Sequence, residues 1–259
     1  MILWFKRRVF CGFCGIVIAI ISKGVTMNLT QEISAMLVEE GCNVFGFANL
    51  GMLPPETRQN YDTGIIIGLS YTKEAMAQSK NRQPALYYKE LTAINKRLPK
   101  LAELAADFLI NRGYKALAKT AVVVQQEKDT PRFTTMLPHK TVATLAGIGW
   151  IGKTATLVTK EAGPALRLVS VLTNAPLECG TPITKSQCPP SCMVCADICP
   201  GKAANGKQWA VDVQRDEFFD AEACFAAARA YAKETLHIEE TICGQCVAHC
   251  PLTRAALKF

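Results

Sequence analysis

Two cysteine-rich blocks near the end of the chain carry the clearest chemical signal. They read CPPSCMVCADICP at residues 188–200 and CGQCVAHCP at residues 243–251. Each block ends in Cys-Pro, and in each block three residues separate the last cysteine from the one before it. Thiolates at such close spacing can converge on one metal centre. The blocks therefore predict a site for a soft metal.

The spacing is that of the bacterial ferredoxin run C-x-x-C-x-x-C-x-x-x-C-P, which binds 4Fe-4S clusters and whose last cysteine ligates a second cluster. The shorter block lacks a local first cysteine, and Cys224, on a stretch that predicts a helix, supplies the missing thiol. Crossing the last ligands predicts two complete sets. The first set is Cys188, Cys192, Cys195 and Cys250, and the second set is Cys224, Cys243, Cys246 and Cys199. The first gap departs from the pattern, because it holds three residues, two of them prolines.

Structural zinc and disulfide bonds are the alternatives for these cysteines. Tetrahedral zinc sites also use C-x-x-C pairs, but zinc does not explain two Cys-Pro endings. Eight cysteines in the C-terminal part of a chain of ordinary length are more typical of ligands than of cross-links. Such ligands must stay reduced, which predicts a cytoplasmic protein.

The composition predicts a folded protein with a substantial core. The chain has 259 residues, of which 49% are hydrophobic, and this excludes a disordered chain. The formal net charge is +7, but four basic residues and no acid precede Met27, so the remaining chain carries +3. A basic face for nucleic acid is therefore not established by charge.

The first 26 residues predict a non-native or disordered extension. The apolar run at residues 9–21 is shorter than the roughly 20 residues that cross a bilayer, and no small-x-small cleavage site is obvious. A helix signal begins directly after Met27, where Asn28 can cap a helix with Gln31 three residues on. We therefore expect the fold to begin at Met27, and we expect no membrane partner.

Helix and strand patterns alternate after Met27, which predicts an α/β (α+β) class. Helices are predicted after Asn28, at 85–111 and at 141–146, and strands at 43–48, 63–70, 120–125, 155–159 and 166–172. Pro99 should kink or divide the long helix. The expected domains are an α/β domain at residues 27–176 and a cluster-binding module at residues 177–259.

A glycine-rich stretch at residues 137–158 is the second informative feature. Its order G-I-G-W-I-G is not a dinucleotide fingerprint, because a predicted helix precedes the glycines and a predicted strand follows them. Gly147, Gly149 and Gly152 would allow a flat cofactor to approach the backbone, with Trp150 as an apolar wall.

The chain resembles the epoxyqueuosine reductases and their iron–sulfur paralogues, and more distantly the corrinoid reductive dehalogenases. The resemblance is carried by HKTVATLAGIGWIGK at residues 139–153, VLTNAPL at residues 171–177, both cysteine blocks and Cys224. It implies a cobalamin-binding, nitroreductase-like sheet domain joined to a ferredoxin-like module with two 4Fe-4S clusters. It also implies an oxidoreductase that reduces an epoxide on a modified tRNA base, with an electron donor of the flavodoxin or ferredoxin type.

The family's Asp-Thr-x-Pro element, whose aspartate is thought to supply a proton, is not matched here. The corresponding residues, 134–140, include no carboxylate. His139 is the natural replacement because an imidazole titrates near neutral pH, although a histidine before a helix is often a capping or core residue. The cofactor-binding candidates are Lys140, Gly147, Gly149, Trp150, Gly152 and Lys153. Tyr87 and Tyr88 are further candidates for donor or cofactor contact, or for helix packing.

Three hypotheses on function follow from these residues. In the first, clusters pass single electrons to a corrinoid that performs reductive chemistry. In the second, the protein is an electron carrier that kept the clusters and lost the corrinoid. In the third, it is a tRNA-modifying enzyme with an altered proton donor.

Overall fold

The fold begins with a capped helix. The computed structural model describes residues 27–121 and 132–259. Helix α1 (Leu29–Glu39) starts at a capping box, in which Asn28 and Gln31 each accept a hydrogen bond from the other's backbone N–H. The helix expected after Met27 is confirmed. The expectation for residues 1–26 lies outside the described residues.

A four-stranded antiparallel sheet forms the centre of the molecule. Its strands are β1 (Val44–Asn49), β2 (Thr63–Ser70), β3 (Ala116–Ala118) and β6 (Leu166–Thr173), in the order β1-β2-β6-β3. Gly64 of β2 pairs with Ala48 on one side and with Leu172 on the other. The mixed α/β class is confirmed. The nitroreductase-like and ferredoxin-like characters stay predictions, as does the division at residue 176.

Helices cover both faces of this sheet, because side chains along a strand alternate between its faces. Ile65 and Ile67 of β2 lie in the core formed with α1 and the long helix α3 (Ala85–Ile110). Ile66, between them, lies in the opposite core with α4 (His139–Leu145). Helix α4 contains the start of the glycine-rich stretch. Its packing on the sheet therefore fixes the position of that stretch.

Helix α3 is not divided at Pro99. A proline inside a helix removes one hydrogen bond and costs about 3 kcal/mol. Buried positions on either side of it, including Leu98, Leu101 and Leu109, pack on the sheet. Each such burial contributes about 1.5–3 kcal/mol, which offsets the cost.

Several elements differ from the prediction. Helix α2 (Lys73–Lys80) and strand β3 were not expected, and the glycine-rich stretch itself forms β4 (Gly149–Ile151), which pairs antiparallel with β5 (Leu157–Thr159). The strand predicted at 120–125 does not start at Thr120, because β3 already occupies the sheet edge beside β6. Residues 122–125 lie outside the described residues.

Short helices build the cysteine-rich part of the chain. They are α5 (Val194–Asp197), a 3₁₀ turn (Arg215–Glu217), α6 (Ala221–Leu236), α7 (Gln245–His249) and α8 (Pro251–Leu257). Cys224 lies on α6, so its predicted helical setting is confirmed. Within the described ranges, no helix is long and apolar enough to cross a membrane.

Candidate functional site

The eight predicted cluster cysteines fall into two groups of interacting thiols. Cys195 interacts electrostatically with Cys250, Cys188 and Cys192. Cys246 interacts with Cys243, Cys224, Cys199 and, more weakly, Cys195. The structure thus brings together the members of each predicted set. The interaction between Cys246 and Cys195 places the two sets side by side.

These thiols form a donor set of the kind that iron–sulfur clusters use. All eight are half-buried free cysteines. In the part of the chain that the structure describes, no three His, Cys, Asp or Glu side chains form a group that could hold a metal ion. Thiols around a four-iron cube stand further apart than thiols around a single ion, because the cube lies between them. Four thiols are the number that a 4Fe-4S cluster takes, so two groups of four match two clusters in number and ligand type.

Burial favours the protonated form of these thiols. It raises the pKa of Cys195 and of Cys243 to about 11, and it raises the pKa of Cys246 as well. In the first two cases a neighbouring thiolate, Cys250 or Cys224, acts in the same direction. Because metal ligands must be thiolates, metal binding here would release protons.

The second Cys-Pro ending has a local structural reason. Pro251 occupies the first position of α8, where its missing N–H is not needed. The backbone N–H groups of Leu252 and Thr253 then hydrogen-bond to the Cys250 side chain and lower its pKa, although burial raises that pKa by more. A proline after the cysteine thus starts a helix whose N–H groups face the sulfur.

The glycine-rich stretch lies against the first cysteine group. The indole N–H of Trp150 donates to Cys188 Sγ at 3.3 Å. Lys153 is fully buried, and its ammonium group donates to the carbonyl oxygens of Pro190 and Cys192, both at 2.9 Å. Both residues are predicted from the sequence to bind a cofactor, and these partners in the chain are not predicted. No spacing signal links two segments so far apart in the chain.

The glycines of this stretch are required by contacts within the chain. A Cβ on Gly147 would lie 2.4 Å from the Thr181 carbonyl oxygen, and one on Gly149 would lie 2.3 Å from the Val158 carbonyl oxygen. A Cβ on Gly152 would lie 2.8 Å from the Val158 side chain. A close approach at these glycines was predicted for a flat cofactor, and here the protein itself makes it.

His139 and Lys140 occupy the first turn of α4. His139 Nδ1 lies 2.9 Å from Ser170 Oγ, and Lys140 Nζ donates to the Ala155 carbonyl oxygen at 2.7 Å. Burial lowers the pKa of Lys140 to about 8, and the positive charge of Arg215 acts in the same direction. An amine with such a pKa can donate or accept a proton near neutral pH.

The two tyrosines have separate roles. Tyr87 packs edge-on against Tyr71 and covers Gly244, where an added Cβ would lie 2.6 Å from its ring. Tyr88 donates from its hydroxyl group to Glu240 at 2.8 Å on the surface. Tyr87 is therefore a packing residue beside the second cysteine group.

Two of the cavities among the described residues have volumes of about 280 and 160 Å³. The larger is lined by residues such as Asn43 and Arg97, and the smaller by residues such as Lys80 and Ile198. Neither is lined by a residue of the 139–153 stretch. Ligand and cofactor pockets have volumes of about 300–1,000 Å³. Neither cavity is the one predicted for a corrinoid.

The sequence is similar to curated epoxyqueuosine reductases, although no protein-family model matches it. The enzyme of Bacillus anthracis is 42% identical over 64 residues, which are 25% of this chain and 16% of that protein. The enzyme of Pseudomonas aeruginosa is 30% identical over 113 residues, which are 44% of this chain and 27% of that protein. The matched segments span less than a third of these relatives.

The fold is similar to two kinds of solved structure. A reductive dehalogenase, described with a mechanism for B12-dependent dehalogenation, matches 95% of this chain and 38% of its own, with a TM-score of 0.64 and 15% identity. An epoxyqueuosine reductase with a modified tRNA stem loop matches 88% of this chain and 66% of its own, with a TM-score of 0.55 and 19% identity. These likenesses establish the fold. Together, sequence and fold confirm that the chain is similar to epoxyqueuosine reductases and, in fold, to reductive dehalogenases.

Proposed function

We propose that this chain is an iron–sulfur oxidoreductase of the epoxyqueuosine reductase type, in which two 4Fe-4S clusters deliver single electrons to a reductive reaction. The observation that carries the proposal is the grouping of the eight cysteines into two interacting sets of four. The relatives with similar sequences are named as reductases, which agrees with this role. The ligands would be Cys188, Cys192, Cys195 and Cys250 for one cluster and Cys199, Cys224, Cys243 and Cys246 for the other.

Two short helices would hold the clusters at a fixed separation. Cys195 of the first set lies in helix α5, and Cys199 of the second set follows two residues after its end. Cys246 of the second set lies in α7, and Cys250 of the first set directly follows it. Four residues of helix advance by about 6 Å. Each helix thus links one ligand of one cluster to one ligand of the other, which would keep the electron path short. Bound clusters would supply the one-electron chemistry, and the chain supplies the spacing.

His139 and Lys140 are the proposed proton donors. Reduction of a carbon–oxygen bond consumes protons as well as electrons, and these two side chains lie at one helix start. The lowered pKa of Lys140 suits proton transfer near neutral pH. His139 is fixed by its 2.9 Å contact with Ser170, so its ring has a defined orientation.

Cobalamin is a further proposal that rests on the fold, since a structure of similar fold is described for B12-dependent dehalogenation. The residues expected to line its site do not fit it. Gly149, Trp150, Gly152 and Lys153 are buried by contacts with the chain itself. No step of the reaction is assigned to a corrinoid for this reason. The same observation favours a second candidate function, an electron-transfer protein that carries the clusters without a corrinoid.

The substrate and partners are proposed by analogy. An epoxyqueuosine-modified tRNA is the first substrate to test, because a reductase of similar fold is known with such a stem loop. An electron donor of the flavodoxin or ferredoxin type would supply one electron at a time. A cytoplasmic location would keep the thiol ligands reduced.

Anaerobic purification, followed by iron and cobalt analysis and a titration with cobalamin, tests the proposal. Two clusters with a spectral change on adding cobalamin would support a corrinoid reductase. Two clusters without that change would support the electron carrier. A chain that cannot hold iron would contradict both candidates.

The proton donor is tested on epoxyqueuosine-containing tRNA. We expect His139→Gln to lower the turnover of the loaded protein and to leave its iron content unchanged. Full activity in this variant would remove His139 as the donor, and Lys140→Met would then be the variant to assay.

A further inference from the structure

We infer that Trp150 and Lys153 raise the reduction potential of the cluster at Cys188 above that of its neighbour, so that electrons pass from the second cysteine group to the first. The inference rests on the proposed function, because it requires both clusters to be bound. It assigns these two residues to the cluster and not to a corrinoid.

Trp150 supplies a hydrogen bond to a ligand sulfur. Its indole nitrogen lies 3.3 Å from Cys188 Sγ, and the Trp150 side chain is only 6% exposed, so the donor is held inside the protein. Reduction adds negative charge to a cluster and its sulfur ligands. A donor held at the sulfur stabilises that charge, and hydrogen bonds to the sulfurs are one of the factors that set cluster potentials.

Lys153 supplies a buried positive charge beside the same ligands. The residue is 2% exposed, and its ammonium group binds the carbonyl oxygens of Pro190 and Cys192. Pro190 lies in the loop between the first two ligands of the first set, and Cys192 is the second of these ligands. Carbonyls offer only partial negative charge, whereas buried charges are stable when fully paired. An anionic cluster beside this loop would complete the pairing, and the charge would favour its reduced form.

The second cysteine group has weaker support of this kind. The cation that acts on Cys243 is Arg82, which is 55% exposed and forms an ion pair with Glu234. Water and the paired carboxylate screen such a charge. Cys199 accepts a hydrogen bond from the Ala203 backbone N–H at 3.4 Å. A buried ammonium group and an indole donor therefore distinguish the first group from the second.

The difference gives the electron path a direction. The first group lies against the 139–153 stretch, which begins with the proposed proton donors at α4. The second group lies beside the small surface cavity lined by Lys80, Ile198 and His249. Electrons would enter on that side as single electrons from the donor. They would then move to the cluster of higher potential, next to Trp150 of β4.

A redox titration followed by EPR of the anaerobically reconstituted full chain tests the inference. We expect Trp150→Phe to lower the midpoint potential of one cluster and to leave the other unchanged. The matched control is Trp209→Phe, because Trp209 lies in the same apolar cluster and, among the described residues, its indole makes no hydrogen bond to a cysteine sulfur. The control should leave both potentials unchanged.

Lys153→Gln is the second variant, since its amide can still donate to the carbonyls but carries no charge. We expect it to lower the potential of the same cluster, identified as the one whose signal changes in Cys195→Ser. If Trp150→Phe fails to retain iron, the potential measured for Lys153→Gln tests the inference instead. Unchanged potentials in a fully loaded Lys153→Gln protein, or equal shifts in both clusters, would overturn the inference. A wild-type chain without two clusters would overturn the proposed function instead.

Discussion

Lys140 couples the protonation of the candidate site to the stability of the fold. Its ammonium group donates to the Ala155 carbonyl oxygen at 2.7 Å, and burial lowers its pKa to about 8 from 10.5. Burial penalises the charged form. Below about pH 8 the folded state therefore carries the full cost of a charged lysine in this position, and above its unfolded pKa that cost is absent.

Raising the pH from about 8 to about 10 should stabilise the wild-type chain relative to Lys140→Met. In this range the unfolded state binds more protons than the folded state, so stability rises with pH. The difference between the two proteins should change by up to about 2 kcal/mol. Urea denaturation at both pH values measures it, with the exposed Lys160→Met as the control. Parallel pH dependence in all three proteins would show that Lys140 titrates normally.

At the scale of elements, the bend between α4 and β4 positions Trp150 and Lys153. Gly147 lies in this bend with a φ of +71°, a left-handed conformation that costs other residues about 1–2 kcal/mol. A Cβ there would also press on the Thr181 carbonyl oxygen. The bend therefore admits only glycine for two independent reasons.

Comparing Gly147→Ala with Gly113→Ala separates these two costs. Gly113 has a φ of +85°, and a Cβ there would meet nothing within 4 Å. Both variants force alanine into a positive φ, but only Gly147→Ala adds a clash with the backbone. That clash typically costs about 1–3 kcal/mol more. Thermal or urea unfolding should show the larger loss for Gly147→Ala. Equal losses would mean that the chain at Thr181 moves away without cost.

Strong periodic elements were predictable from the sequence, and so was the short strand β5 within residues 155–159, but two other short strands were not. Strand β2 has the predicted bounds of Thr63–Ser70, and α1 begins at its predicted cap. Strands β3 and β4 have three residues each, too few for an alternating pattern to be recognised. The undivided helix at Pro99 reflects packing on the sheet, which local sequence rules do not include.

At the scale of the whole molecule, the cysteine groups follow from sequence because ligand spacing is a local signal. The residues around them do not follow from it. Trp150 meets Cys188 across 38 positions, and Tyr87 meets Gly244 from another helix. Such contacts depend on how the sheet and the cysteine-rich segment pack together. No sequence pattern in either segment predicts which residues of the other it contacts.

The crossed assignment of Cys250 is tested most directly by iron and sulfide analysis with EPR of Cys250→Ala. Wild type should hold about eight iron and eight sulfide per chain, and so should Cys179→Ala, because Cys179 is exposed and lies outside both groups. We predict that Cys250→Ala loses the same cluster signal as Cys192→Ala and keeps the signal that Cys243→Ala loses. If Cys250→Ala instead loses the signal that Cys243→Ala loses, each block binds its own cluster and the crossed arrangement is contradicted.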